Sequence, residues 1–220
     1  MPRALHLLPG LLRPAELRID VALPPATVEA DLERMHARLR RFGGALCGLR
    51  PLPIHLPGFA FRFREADGEQ YVYVEDLANR RLAGCTVFNR LIELDRQADR
   101  HLRAPHSRYG RMYQRRGLAS AVYRWALDGG MCLVTGARQS TGAHALWRSL
   151  AASYEMGGVM LKDKVLTWLG TELAPEVLED FHTRLVLLGG GWDLRRFLEA
   201  TGARMAPAAA GELTGLHASA

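Results

Sequence analysis

The chain has 220 residues, of which 48% are hydrophobic and 24% are charged, and this composition excludes a disordered or fibrous protein. Its 29 Lys and Arg residues outnumber its 23 Asp and Glu residues, which gives a formal net charge of +6. A basic surface favours phosphates, whether on a nucleotide cofactor, a nucleic acid or an acidic protein, although a solvated arginine-rich surface explains the same charge.

Neither a membrane protein nor a disulfide-bonded one is indicated. No apolar run approaches the ~20 residues that a membrane helix needs. The N-terminal segment lacks the pattern of a signal peptide, so we expect a cytoplasmic protein. The three cysteines, Cys47, Cys85 and Cys132, are odd in number and widely spaced. We therefore expect buried thiols and no metal site.

The chain begins with a predicted strand and helix. Residues 17–23 alternate apolar and polar side chains, as in a half-buried strand. Residues 27–41 have an apolar face opposite a strongly basic one, which predicts an amphipathic helix that ends before Gly43. The basic face is interpreted as solvated, with contact to nucleic acid or an acidic substrate as the alternative.

An antiparallel run follows. The clearest hairpin joins residues 59–64 to residues 71–75 through the Asp67-Gly68 turn. Residues 81–94 and 99–110 predict two more strands.

Helices and strands then alternate from Gln114 onward. The predicted elements are a helix from residue 114 to Gly129-Gly130, a buried strand at 131–134, a helix at 141–153, a strand at 158–169, helices at 174–186 and 193–200, and a frayed tail after Met205.

The turn before the first of these helices carries the chemistry. It consists of Gln114, Arg115, Arg116, Gly117, Leu118 and Ala119. The first amides of a helix lack intrahelical acceptors and lie at the positive end of the helix dipole, so they suit a pyrophosphate. Gly117 and Ala119 lack bulk, and Arg115 and Arg116 add positive charge.

This turn resembles the acyl-CoA-binding signature of the GNAT family of N-acetyltransferases. That signature is Gln or Arg, two residues, Gly, one residue, then Gly or Ala, and Gln114, Gly117 and Ala119 match it. The family has a buried strand and a further helix after the signature helix, in the order found here. The segment from Gln139 to Trp147 also resembles the Q-S-x-G-A-x-x-L-W stretch of a bacterial and phage-like subgroup.

The resemblance implies an α/β (α+β) GNAT fold. Its sheet is mixed, mostly antiparallel, flanked by helices and splayed between its fourth and fifth strands, with acetyl-CoA in the gap. The similarity covers residues 17–169, which implies a GNAT domain over residues 1–170, a C-terminal helical extension over residues 171–204 and a flexible tail over residues 205–220. The extension is available for a homodimer contact or for covering the acceptor cleft.

The resemblance also implies coenzyme contacts. The pantetheine pairs with the backbone of Tyr109, Gly110 and Arg111, and the pyrophosphate binds Gln114 to Ala119. Ser140 and Trp147 stand where many members have a cofactor-contacting Asn and a Tyr that protonates the leaving thiolate. An indole N–H is not an acid at neutral pH, so Tyr154 or water is expected to take that role.

The predicted activity is direct transfer of an acetyl group from acetyl-CoA to a primary amine. Glu93, or otherwise Glu75, is the expected general base, unless both are ordinary surface carboxylates. His101 and His106 are interpreted as polar residues at a strand edge. The candidate acceptors are a small metabolite, an antibiotic amine, a protein Lys or N-terminus, and an aminoacyl-tRNA.

Two other functions are compatible with the sequence. Trp147 at the acid position is compatible with a catalytically silent module that binds CoA without turnover. The basic charge is compatible with a nucleic-acid-binding protein that uses no cofactor.

Overall fold

The computed structural model describes residues 25–44, 46–136, 139–178 and 180–207. The predicted strand at residues 17–23 and the predicted tail beyond residue 207 lie outside them. The helices are α1 (Pro25–Arg40), α2 (Arg96–Asp99), α3 (Leu118–Asp128), α4 (Thr141–Ala151), α5 (Pro175–Leu178) and α6 (Leu194–Thr201). The strands are β1 (Arg50–Pro51), β2 (Phe59–Ala66), β3 (Glu69–Asp76), β4 (Arg81–Asn89), β5 (Leu102–Tyr109), β6 (Cys132–Val134), β7 (Met156–Lys162), β8 (Val165–Gly170), β9 (Thr183–Leu187) and β10 (Arg204–Met205).

The ten described strands form one mixed sheet in the order β1-β2-β3-β4-β5-β6-β9-β7-β8-β10. Within these residues β5 pairs with β6 and β8 pairs with β10 in parallel, and the other neighbours are antiparallel. The prediction of a mixed, mostly antiparallel sheet flanked by helices is confirmed. β9 comes late in the chain but lies in the middle of the sheet.

Local sequence signals place most elements correctly. In the hairpin turn Asp67 and Gly68 both have positive φ, 56° and 77°, as a tight hairpin turn requires. Helix α1 buries Leu32 and Leu39 against β3 and β4, which are on its predicted apolar face. The predicted strand at 99–110 begins later, at β5, because Asp95 caps the short helix α2 through the Ala98 amide.

Two predicted elements after α4 are wrong. The strand at 158–169 is a hairpin of β7 and β8, because Asp163 and Lys164 have φ values of 53° and 64° and turn the chain between them. The helix at 174–186 is limited to α5, and Thr183–Leu187 is strand β9. The apolar run of β9 is buried between β6 and β7, so pairing within the sheet prevails over a helical spacing of apolar residues.

Helices cover the two faces of the sheet differently. α3 and α4 pack on one face, where Phe88, Val122 and Trp147 share a core. On the other face, α1 covers β3 and β4, while α2 and α6 cover β6 to β8 around Trp168. The sides of β5 therefore belong to different cores, and this strand leads into the loop that carries the predicted signature.

Candidate coenzyme site

The sheet parts between β5 and β6. Within the described residues these parallel strands pair at two positions, Leu102 with Cys132 and Arg103 with Leu133. Beyond them β5 keeps β4 as its partner to its end, while the chain after β6 bonds to β9. These two strands flank the signature loop and helix. They are the fifth and sixth described strands, whereas the resemblance implies a splay between the fourth and fifth.

The loop after β5 turns sharply into α3. A single 3-10 turn at Arg111–Tyr113 is followed by Arg115 and Gly117, whose φ values of 58° and 77° are left-handed. This region is uncommon for a residue other than glycine, and such outliers concentrate at functional sites. Gly117 caps α3, and the first hydrogen bond of the helix runs from the Ala121 amide to the Gly117 carbonyl, at 2.9 Å. The amides before Ala121 have no acceptor within the helix.

The loop is open at Gly117 and carries positive charge. Apart from its chain neighbours, no atom of the described residues lies within 4 Å of the position that a Cβ on Gly117 would occupy, so this glycine is required by its φ and not by packing. The guanidinium of Arg116 stacks over the rings of Phe59 and Tyr113, at 4.9 and 5.8 Å from their centroids. Helix amides and a fixed guanidinium together are a typical anion-binding set.

Gln114 and Tyr109 brace the start of the loop. The Gln114 side-chain amide donates to the Tyr109 carbonyl at 3.2 Å. The Tyr109 ring covers Gly84, where a Cβ would lie 2.1 Å from the ring, and its hydroxyl lies 3.1 Å from Thr86 Oγ1. Burial raises the pKa of Tyr109 above its ordinary value. The Tyr109 side chain is therefore a packing group, and its carbonyl is the acceptor for Gln114.

The end of β5 also touches α1, a contact that the sequence does not indicate. The Arg111 amide donates to Glu29 Oε1 at 2.8 Å, and the same carboxylate lies about 3 Å from where a Cβ on Gly110 would stand. One turn on, Asp31 pairs with Arg108 of β5 at 3.1 Å. Glu29 and Asp31, two of the three acidic residues of α1, therefore hold this helix to the end of β5.

A buried carboxylate anchors the loop from the other side. Asp76, at the end of β3, accepts hydrogen bonds from the Asn79 side chain at 2.7 Å, the amides of Ala78 and Asn79 at 3.0 Å each, and the Tyr113 hydroxyl at 2.9 Å. The Asn79 side-chain amide, together with these other donors, lowers the pKa of Asp76 to about 2. Nothing in the local sequence marks Asp76, because Tyr113 is distant along the chain.

Because Asp76 is charged in the folded protein, the free energy of unfolding should depend on pH in the acid range. Its folded-state pKa of about 2 lies below the ordinary value of 3.8, so its contribution is complete above about pH 4 and is lost as the pH falls towards 2. We expect Asp76→Asn to lower the free energy of unfolding by about 2–3 kcal/mol at pH 7. Urea denaturation should show the difference from wild type shrinking between pH 4 and 2.5.

The control for this experiment is Asp67→Asn in the exposed hairpin turn, where Asn tolerates the left-handed backbone. It should change the unfolding free energy by less than about 0.5 kcal/mol at every pH. A deficit of Asp76→Asn that stays constant from pH 7 to pH 2.5 would contradict the assignment of a charged, buried Asp76.

The residues predicted at the start and inside of α4 have structural contacts. The Ser140 hydroxyl accepts from the Ala143 amide at 3.2 Å and caps the helix. Trp147 is buried in the core shared with α3. The Tyr154 hydroxyl donates to Asp128 at 2.6 Å, at the end of α3 that lies about 15 Å along the helix from the loop, at 1.5 Å per residue. The structure thus groups Tyr154 with Asp128 and not with the loop.

The two candidate bases are both ion-paired. Glu93 lies 3.8 Å from the guanidinium of Arg184 on β9, and its side chain is half exposed. Glu75 forms a salt bridge with Arg62 across β2 and β3. Glu93 lies on the segment between β4 and α2, next to Arg184 of β9. Glu75 lies on β3, two strands away from β5.

The parted segment of β5 exposes polar groups opposite α3. His106 and Arg108 pair with Val87 and Cys85, which face α1, so they lie on the face bounded by α1, α2 and α6. Arg108 Nε donates to His106 Nε2 at 3.1 Å. His101 instead packs against Trp192.

The cysteines differ from the prediction at one position. Cys85 and Cys132 are buried, which raises their pKa values to about 12 and about 11, and a buried protonated thiol is inert. Cys47 is exposed, contrary to the expectation of three buried thiols. In the described part of the chain no group of three or more His, Cys, Asp or Glu side chains is placed to hold a metal ion, and no helix there has the length and apolarity to span a membrane.

Comparison with known proteins gives weak similarities. No family model matches the chain, and no curated protein matches it. A mutant spermidine N-acetyltransferase from Vibrio cholerae is 14% identical, with 61% of this chain and 69% of that one covered and a TM-score of 0.33. A GNAT-superfamily phosphinothricin acetyltransferase from Sinorhizobium meliloti, solved with acetyl-CoA, is 16% identical, with coverages of 81% and 91% and a TM-score of 0.36. At these values the similarities support no inference about function.

Proposed function

We propose that this chain is an acetyl-CoA-dependent N-acetyltransferase of the GNAT type, in the bacterial and phage-like subgroup, that acetylates a primary amine by direct transfer. One observation carries the proposal: a glycine-capped helix start carries the residues of the acyl-CoA signature and follows a strand that parts from its parallel neighbour. When bound, acetyl-CoA supplies the acetyl group as a thioester. The amine nitrogen then bonds to the acetyl carbon, the C–S bond breaks, and the proton lost by the amine balances the leaving thiolate.

The loop residues supply binding and orientation in this proposal. The amides from Gly117 to Ser120 and the guanidiniums of Arg115 and Arg116 bind the diphosphate. The backbone from Tyr109 to Arg111 pairs with the pantetheine, for which the Arg111 amide must leave Glu29 and the Tyr109 carbonyl must leave Gln114. Ser140 and Trp147 remain the candidate contacts from α4, although Ser140 caps that helix and Trp147 is buried in the core. Positioning of the two reactants contributes much of the rate in such a reaction, with a backbone N–H of the parted strands stabilising the oxyanion.

Proton transfer requires a base on the acceptor side. Glu93 remains our candidate, because its segment follows β4 and lies beside β9 on the face opposite α3. Tyr154 remains the candidate acid, although its bond to Asp128 means that the hydroxyl must exchange partners before it can donate to a thiolate. Water serves as the acid if it does not.

The test is release of free CoA with acetyl-CoA and a panel of amines: spermidine, aminoglycosides, lysine peptides, peptide N-termini and aminoacyl-tRNA. We expect a thermal shift on adding acetyl-CoA and release of CoA above the rate of hydrolysis with at least one acceptor. Glu93→Gln should lower kcat by roughly 100-fold or more, without changing acetyl-CoA affinity.

Other outcomes have definite meanings. Binding without release for all acceptors would indicate the silent CoA-binding module that Trp147 prompted. Absence of binding, with strongly salt-dependent affinity for RNA or DNA, would indicate the nucleic-acid-binding alternative and would end the acetyltransferase proposal.

A further inference from the structure

We propose that Asp76 is a positioning residue of the coenzyme loop, which it holds through the hydroxyl of Tyr113 and so fixes the guanidinium of Arg116. The proposal rests on the proposed function, because it assigns Asp76 and Tyr113 to coenzyme affinity. Neither residue belongs to the signature, and Asp76 is two strands away from β5 in the sheet.

The Asp76 carboxylate is held in one position. Its carboxylate is 5% exposed and accepts four hydrogen bonds, two at each oxygen. This is the full acceptor capacity of a carboxylate. Three of the donors belong to the tight turn of Ala78 and Asn79, so the fourth, from Tyr113, ties the loop to a part of the sheet that is itself fixed.

The position of the Tyr113 ring in turn affects the orientation of the Arg116 guanidinium. Tyr113 is 2% exposed, although its neighbours Met112 and Gln114 are exposed. Its ring meets Phe59 edge-on, at 6.2 Å between centroids, and both rings lie under the Arg116 guanidinium. A guanidinium on two aromatic faces loses little further freedom when it binds a phosphate. The orientation of Arg116 therefore depends on where the Tyr113 ring is held.

The anchoring of the loop also affects binding. Loops that order only on binding reduce affinity by the entropy of ordering. Tyr113 is the buried residue of the segment from Arg111 to Gly117, so its hydroxyl and ring are the internal anchor of an otherwise exposed loop. Removing the hydroxyl should free the loop and leave the ring in the core.

The experiment compares Tyr113→Phe with Tyr71→Phe. Tyr71 also donates to a carboxylate, that of Glu69 at 2.7 Å, but near the other end of β3, about 17 Å from Asp76 at 3.3 Å per residue. Calorimetric titration with acetyl-CoA should give a Kd about 5- to 10-fold higher for Tyr113→Phe and unchanged for Tyr71→Phe. KM for acetyl-CoA should rise similarly, with kcat within about 2-fold of wild type.

Two further readouts separate positioning from stability. Hydrogen exchange in the free protein should be about 10-fold faster at the Tyr113 amide in Tyr113→Phe, with the exchange of β4 unchanged. Arg116→Ala should weaken binding less in the Tyr113→Phe background than in wild type, since the two act as a unit.

Wild-type binding of acetyl-CoA with an unchanged Kd in Tyr113→Phe would overturn the positioning role and leave the proposed function intact. Faster exchange at the residue 113 amide in Tyr113→Phe, together with a wild type that does not bind acetyl-CoA, would overturn the coenzyme function and leave only a loop anchor. Additive effects of Tyr113→Phe and Arg116→Ala would show that the hydroxyl does not act through the guanidinium, and would overturn that step.

Discussion

Replacing Gly117 with glutamate is expected to abolish binding of acetyl-CoA while the protein still folds. Gly117 has φ 77° at the cap of α3, and apart from its chain neighbours no described atom lies within 4 Å of where its Cβ would stand. A carboxylate beside the start of the helix is expected to accept hydrogen bonds from the helix amides and to repel a diphosphate. Together these effects should raise the Kd by at least about 100-fold, or roughly 3 kcal/mol.

The left-handed backbone also strains any residue other than glycine, so a control with the same strain is needed. Gly43 has φ 70°, and apart from its chain neighbours no described atom lies within 4 Å of its Cβ position. It follows the end of α1 that lies about 16 Å along the helix from Glu29. Gly43→Glu and Gly117→Glu should each cost about 1–2 kcal/mol of stability. Titration calorimetry should then show lost affinity in Gly117→Glu alone. Equal affinity of the two variants for acetyl-CoA would refute the assignment of the diphosphate to this loop.

The loop is the part of the site that the sequence predicts best, for a local reason. A left-handed residue before a helix favours glycine, and amides at a helix start lack acceptors in any protein, so Gly117 and the start of α3 follow from a few neighbouring residues. The hairpin at Asp67 and Gly68 follows in the same way. The coenzyme contacts of these residues remain predictions.

Contacts between distant parts of the chain were not predictable by such arguments. Asp76 resembles any turn aspartate until the fold brings Tyr113 to it, and Glu29 resembles a surface residue of α1 until β5 ends beside it. Arg116 was expected to point towards phosphate, and the structure adds that Phe59, far away in sequence, provides the surface on which it stacks. Single-sequence patterns describe faces and turns, whereas these roles depend on which faces meet.

Strand β9 shows the same limit at the level of the fold. Leu178, Phe181 and Leu185 have a helical spacing, yet Phe181 is 49% exposed and Leu185 is buried in the sheet. The run from Leu185 to Leu188 is apolar on both sides, as a strand with two covered faces requires. The segment is a strand and not a helix because the edges of β6 and β7 are both available to pair with it. The local sequence does not indicate those edges.

A chain that ends at Gly170 is therefore expected to lose cooperative folding, although the family resemblance ended the domain there. Truncation removes β9, whose residues pair with both β6 and β7, and α6, whose Phe197 packs on Trp168 at 6.0 Å between centroids. Leu185, Val186 and Leu187 alone contribute roughly 5–9 kcal/mol by burial. This is comparable to the roughly 5–15 kcal/mol that stabilises a whole domain.

Circular dichroism of residues 1–170 should show no sigmoidal thermal transition, and acetyl-CoA should produce no thermal shift. Co-expression of residues 171–220 as a separate chain is the matched control, because it restores β9 without restoring the covalent link. The complex should melt cooperatively and respond to acetyl-CoA, since the edges of β6 and β7 again have a partner. A fragment of residues 1–170 that melts cooperatively and binds acetyl-CoA alone would establish the boundary at residue 170 and make β9 an accessory strand. If residues 1–170 do not fold alone, as expected, β9 is the strand that joins the half of the sheet from β1 to β6 to strands β7 and β8.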